Sequence, residues 1–217
     1  MRGDPMKTTV LSVQMIPNAD PMLLRRLGLD ENLRSLGIIT TDCDDVSYAA
    51  LDEATKKANV QVAYARSMYA GAGNASTKLA GEFIGILAGE DPAEIRSGLD
   101  AAVRFAQEDA SFFSANEDDS IVYFAHCISR TGSYLSAAAN VPEGTAMAYL
   151  IAPPAEAIVG LDAALKAAEV ELRLFYGPPS ETNFAGGLLT GEQAACKAAC
   201  AAFADAVCRV AETPISC

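Results

Sequence analysis

The chain has 217 residues, with 16 Lys and Arg against 28 Asp and Glu, one His and a formal charge of -12 at pH 7. That acidity repels phosphate backbones and anionic lipid alike, which excludes nucleic acid and membrane surfaces as partners. No apolar run approaches the roughly 18 to 20 residues that span a bilayer, and the amino terminus lacks a signal-peptide core, so a cytoplasmic protein is expected.

Residues 1–6 (MRGDPM) have the look of an alternative start or an expression scar and are set outside the fold. Residues 10–16 (VLSVQMI) and 36–41 (LGIITT) predict strands, being short apolar or β-branched runs bounded by turn formers. Residues 47–58 have helical composition, 60–66 alternate as a strand with one wet face, and 83–88 form a continuous apolar strand. Asp91-Pro92-Ala93-Glu94 then marks a helix start: Asp caps, Pro suits the first helical position, and Glu three residues after the cap reaches back. Ile95, Leu99, Ala102, Val103 and Ala106 give that helix one apolar stripe. The same order returns downstream, with strands near 121–128, 147–152, 170–176 and 184–189 and helices at 155–168 and 191–211. Thr190 with Gln193 is expected to cap the last helix, whose stripe is Ala199, Phe203, Ala206, Val207 and Val210.

The return is also literal. Leu51-Asp52, Ala54, Lys56, Ala58 and Val60 recur at one constant displacement as Leu161-Asp162, Ala164, Lys166, Ala168 and Val170. Two repeats are too few for a solenoid, so a fused pair of like domains of about 105 residues each is expected. The predicted domains are 1–108 and 109–217, divided where EDASFFSANEDD (108–119) interrupts the periodicity. Each reads as strand, strand, helix, strand, strand, helix: an α+β sandwich with helices packed on one face of a mixed sheet.

Two connections break the pattern. Residues 67–80 join two strands through glycines and small residues, and 177–183 (GPPSETN) take the corresponding place in the second copy. A hairpin there normally needs two to five residues. These segments read either as surface loops or as a lid or gate.

Catalytic signatures are absent. The lone His126 sits in an apolar strand beside Cys127 and reads as structural, with no zinc-ligand spacing around it. Cys43, Cys127, Cys196, Cys200, Cys208 and Cys217 read as free thiols, and Cys196 and Cys200 as packing residues on one helix. There is no phosphate loop, nucleophile elbow or dinucleotide fingerprint, and neither a cofactor nor a metal is expected. Asp42, Asp44 and Asp45 cluster at a strand end before a helix, where they serve the helix start or hold a cation. Glu82, between Gly81 and an apolar strand, must be paired, exposed or functional.

Several long strings carry a resemblance. LDAALKAAEVEL (161–172), preceded by Ala155-Glu156, is similar to the helix-to-strand core of bacterial microcompartment shell proteins. RSLGIITTDCDDVSYAALDEATKKA (34–58), RSMYAGAGN (66–74), SRTGSYLS (129–136), AYLIAPPAEA (148–157) and PPSETNFAG (178–186) resemble, more narrowly, the tandem-domain shell proteins of ethanolamine utilisation.

The resemblance implies two tandem, circularly permuted shell domains and a homotrimer forming a pseudohexameric tile, with other shell proteins as lateral partners. It implies a structural role without turnover, in the shell of a cytoplasmic bacterial microcompartment. It also implies a gated central pore whose movable loops are Ser67, Met68, Tyr69, Gly71, Gly73 and Asn74 with Pro178, Pro179, Ser180, Glu181, Thr182 and Asn183. Small channels within each subunit, where a metabolite such as ethanolamine binds, are implied at Asp44, Glu82 and Phe112. Carboxylates there pair with an ammonium, and an aromatic face offers a cation-π contact of about 0.5 to 2 kcal/mol. Lys and Arg are scattered, so no tile-edge contact is visible in composition. A ligand-sensing module binding a small amine or a corrinoid, and a metal-dependent enzyme using Asp42, Asp44, Asp45 or Glu82, are the competing readings.

Overall fold

The computed structural model describes residues 1–68 and 77–215. In chain order these form β1 (Pro5–Met6), β2 (Val10–Ile16), α1 (Pro21–Arg26), β3 (Ser35–Thr41), α2 (Asp44–Lys57) and β4 (Gln61–Ser67). A 3-10 turn (Lys78–Ala80), β5 (Phe83–Gly89), α3 (Pro92–Arg104), a π-helical turn (Phe105–Asp109) and β6 (Phe112–Ser114) follow. The rest is β7 (Val122–Ile128), α4 (Ser133–Ala139), β8 (Met147–Ala152), α5 (Pro154–Ala167), β9 (Val170–Tyr176), β10 (Ala185–Gly191) and α6 (Gln193–Glu212).

The chain divides into two compact units. The first comprises Lys7–Ala110 with Gly132–Leu135, and the second Met1–Met6, Ser111–Thr131 and Ser136–Cys217.

The first unit is a four-stranded sheet in the order β2-β3-β5-β4, with α2 and α3 packed on it. Apolar residues at helical spacing on α2 (Leu51, Ala54) and α3 (Ile95, Leu99, Ala102) are buried on the sheet face that carries Ile39, Phe83 and Leu87, while Leu36 packs on the other face with Ala19, Leu24, Leu29 and Ala88. Each fully buried Leu, Ile or Phe contributes about 1.5–3 kcal/mol of transfer free energy. Asp91 caps α3 as the sequence predicts, its Oδ1 accepting from Ala93 N at 2.7 Å with Pro92 in the first turn. Glu94 does not reach back to the cap; its Oε2 accepts from Asn59 N at 2.6 Å and so fixes the turn between α2 and β4.

In the second unit the order β7-β8-β10-β9 repeats that of the first, and β6 and β1 extend the sheet beyond β7. α5 and α6 cover a core that includes Leu150, Leu161, Leu189, Phe203 and Val207. Residues 1–6, set outside the fold on sequence, are part of it: Pro5 and Met6 pair with Phe113 and Phe112. The expected cap of α6 is also corrected. Thr190 lies within β10, Glu192 is the cap residue without a side-chain bond, and Gln193 Nε2 donates to Ser129 Oγ at 2.8 Å.

Every described ladder is antiparallel, so the sheets are not mixed in strand direction. The strand-helix-strand pattern does place β3 and β4, or β8 and β9, in the same direction. β5 and β10 insert between those strands, and each pairs antiparallel with both neighbours.

Candidate functional site

The acidic cluster read in the sequence is brought together in the first unit, where β3 turns into α2. Thr41 Oγ1 donates to Cys43 O at 2.8 Å and contacts Ser47 Oγ at 2.7 Å, while Ser47 Oγ donates to Cys43 O at 2.6 Å. These hydroxyls hold the turn that delivers Asp44 and Asp45 to the first turn of α2, where the helix dipole favours their charge. Both are buried, at 8% and 7% exposure, which an acidic surface cap would not be. Asp42 faces the strand β2 side, its Oδ1 accepting from Thr9 N at 2.6 Å.

Glu82 arrives from the chain entering β5. Gly81 adopts φ +67° with Thr41 O so close that a Cβ there would collide with it, and Glu82 N donates to that oxygen at 2.8 Å. The glycine thus lets the backbone lie against β3, bringing Glu82 to Asp44 and Asp42. Burial and then the charges of Asp44 and Asp42 push the Glu82 carboxyl above its ordinary value. Cys43, between Asp42 and Asp44 in sequence, is half-buried, and its desolvation pushes the thiol up, which disfavours the thiolate. Among the described residues, no three His, Cys, Asp or Glu side chains are grouped to hold a metal ion.

The first loop is rooted at this site. Ser67 is the last residue of β4 and not of the loop; it pairs with Phe83, and its Oγ lies 2.8 Å from the Tyr48 hydroxyl. Met68 N donates to Glu82 O at 2.6 Å. Tyr69, Gly71, Gly73 and Asn74 lie outside the described residues. Tyr48 sits one helical turn beyond Asp44, packed edge-on to Phe83 at 4.9 Å.

The second loop belongs to the second unit. Pro178-Pro179 is a cis bond. Ser180 N donates to Phe184 O at 3.0 Å, and Asn183, at φ 65°, donates its N–H to Ser180 O at 3.1 Å. Pro178, Pro179, Glu181 and Asn183 are exposed, while Ser180 and Thr182 are half-buried. Phe112 also belongs to the second unit, where its ring stacks on Phe124 at 5.4 Å and meets Phe184 edge-on at 5.9 Å. His126 lies parallel to Phe124 at 5.6 Å. Cys43, Cys127, Cys196, Cys200 and Cys208 are free thiols.

Sequence reading missed one buried acid. Asp52 was noted only as a letter of the repeat, yet its Oδ2 accepts from Gly132 N at 2.7 Å and its Oδ1 from Leu135 N at 2.8 Å. Thr55 Oγ1 accepts from Ser133 N at 3.1 Å beside it. The available signal was Gly132, where a Cβ would collide with Thr55 Oγ1.

Comparison with known proteins gives a consistent picture. Residues 35–116 match the BMC domain. The chain is 63% identical over 215 residues to the bacterial microcompartment shell protein EutL of Clostridium perfringens, covering 99% of both chains. It is 49% identical over 212 residues to that of Salmonella typhimurium, covering 98% of this chain and 97% of the relative. The crystal structure of the ethanolamine utilisation protein EutL from Leptotrichia buccalis matches with a TM-score of 0.98 at 64% identity, covering 100% of both chains.

Proposed function

The chain belongs to the EutL family of bacterial microcompartment shell proteins, and on that premise we propose that it is a homotrimeric, gated tile of an ethanolamine-utilisation shell. Its role is structural, as a tandem-domain shell protein and not an enzyme, and shell proteins of this kind assemble into oligomeric tiles. Three copies of a two-repeat chain present six like repeats around one axis, with other shell proteins as lateral neighbours. The two repeats follow the predicted division into 1–108 and 109–217 except that residues 1–6 fold with the second unit and 132–135 with the first, and the loops at 67–80 and 177–183 are the gate of a central pore.

The observation that carries the transport reading is the carboxylate pair Asp44–Glu82. Burial first, and then the charges of Asp44 and Asp42, disfavour the ionised form of Glu82 and raise its pKa. An ammonium group offsets this, because a cation favours the ionised form of both acids. The site therefore suits a small primary amine such as ethanolamine, bound weakly enough to be released onward. The resemblance also implies Phe112, which the second unit carries.

Calorimetry with ethanolamine is the test. The wild-type chain binds with millimolar or submillimolar affinity and Glu82→Gln binds at least about tenfold more weakly; equal affinities would remove the assignment.

The alternative of a ligand-sensing module draws on one observation, that Glu82 O and Tyr48 hold the first residues of the loop root. Occupancy-dependent protection of residues 67–68 in hydrogen exchange, without any solute passage through assembled shells, would favour it.

A further inference from the structure

The root of the first loop is held from outside its own pair of strands. Ser67, the last residue of β4, places its Oγ 2.8 Å from the Tyr48 hydroxyl, and Met68 N donates to Glu82 O at 2.6 Å. Tyr48 packs edge-on to Phe83, the residue that Ser67 faces across the ladder. Tyr134 stacks on the same Tyr48 ring, with an interplanar angle of 13° and centroids 6.2 Å apart. Arg66, the residue before Ser67, brings its charge to the Tyr134 hydroxyl, where it works against the rise in pKa that burial imposes on that group. Tyr134 is fixed in turn through its backbone neighbours, all within the first unit. Asp52 Oδ2 and Oδ1 accept from Gly132 N and Leu135 N, and Thr55 Oγ1 accepts from Ser133 N. Tyr48, Asp52 and Thr55 recur at i, i+4 and i+7, so one face of α2 makes every one of these contacts.

The internal repeat shows that this arrangement accompanies the longer of the two loops. At the constant displacement of the repeat, Tyr48 and Ser67 become Ile158 and Gly177, neither of which has a hydroxyl to pair. The second loop, 177–183, is the shorter one and is bonded within itself, Ser180 N to Phe184 O and Asn183 N to Ser180 O. Closing a longer loop costs more chain entropy. The copy that bears the larger cost is the one whose loop root is tied to a helix.

We propose that Tyr48 and Tyr134 are positioning residues for the root of the first loop. Residues 132–135, gripped by Asp52 and Thr55, hold the Tyr134 ring on Tyr48, and the Tyr48 hydroxyl then holds Ser67 so that Met68 stays bonded to Glu82 O. The consequence for solute passage rests on the gate reading. The clasp itself does not, and its test needs neither solute nor ligand.

Hydrogen exchange resolved to single residues on the full chain, read at the Met68 amide against the amides of α3, tests the proposal. Tyr48→Phe removes the hydroxyl and keeps the ring, whereas Tyr134→Leu removes the stacked ring. Each is expected to speed Met68 exchange about tenfold while the α3 amides keep the wild-type rate. Tyr134→Phe, which retains the ring, is expected to keep the wild-type rate at Met68. Because Tyr134 acts through Tyr48, the double variant Tyr48→Phe with Tyr134→Leu is expected to be no faster than the single variants. Met68 rates unchanged in both single variants, a speed-up shared equally by α3, a Tyr134→Phe as fast as Tyr134→Leu, or a double variant whose two effects multiply would each overturn the proposal. Absence of ethanolamine binding by the wild type would instead remove the ligand reading and leave this one standing.

Discussion

Asp52 and Asp162 hold equivalent places in the two copies of the repeat and have opposite surroundings. Asp52 is buried with two backbone N–H donors, at 2.7 and 2.8 Å, whereas Asp162 is exposed and bonded to Lys166 Nζ at 2.7 Å. Removing Asp52 orphans two amides, so Asp52→Ala is expected to lose about 2–4 kcal/mol in chemical denaturation. Asp162→Ala is expected to stay within about 0.5 kcal/mol, the scale of an exposed i,i+4 pair. Equal losses would mean that the Asp52 bonds do not carry the difference.

Gly81→Ala is expected to damage the acidic site more than the fold. A Cβ at φ +67° collides with Thr41 O, so β5 must shift away from β3 at the residue that delivers Glu82. The variant should lose about 1–3 kcal/mol of stability and at least about tenfold in ethanolamine affinity by calorimetry. Retained affinity would show that the glycine does not position Glu82.

The pH dependence follows from the direction of two shifts. Burial, with neighbouring Asp44 and Asp42, raises the Glu82 pKa from its ordinary value of 4.5, and burial also raises that of Asp52. A carboxyl whose folded pKa exceeds its unfolded value binds its proton more tightly in the folded chain. The stability it confers is therefore full below 4.5 and is lost as pH rises through the folded pKa. Thermal unfolding from pH 4 upward should show that decline, and Glu82→Gln should reduce its slope, leaving the Asp52 part. Ethanolamine affinity should rise over the same window, since the ammonium requires ionised Glu82. A variant with the wild-type slope would assign the proton elsewhere.

Core and loop should separate cleanly on mutation. Val207 is fully buried on α6 among Leu150, Leu189 and Phe203, and Val207→Asp places an unpaired carboxylate there. It is expected to abolish soluble folded protein, a loss of several kcal/mol. Deleting residues 71–76 should leave the assembled mass unchanged while raising solute leakage through reconstituted shells. If both variants fail to fold, the segment is structural and is not a gate.

Much of the fold was legible because local signals and the repeat agreed. The strands of both copies and the starts of α2, α3, α5 and α6 lie within a few residues of the pattern-based boundaries. What escaped depended on partners distant in sequence. β1 and β6 have two and three residues, too few for periodicity, and exist because Pro5 and Met6 find Phe112 and Phe113. α1 and α4, of six and seven residues, are too short to show an apolar stripe. At the site, the cluster of acids was visible but its compression was not. That comes from Gly81 against Thr41, a contact between positions forty residues apart in sequence.

The most direct measurement is the mass of the wild-type chain in solution by light scattering coupled to size exclusion, with and without millimolar ethanolamine. The account predicts a species of three 22.7 kDa chains, maintained in both conditions. A single-chain mass across the micromolar range would contradict it.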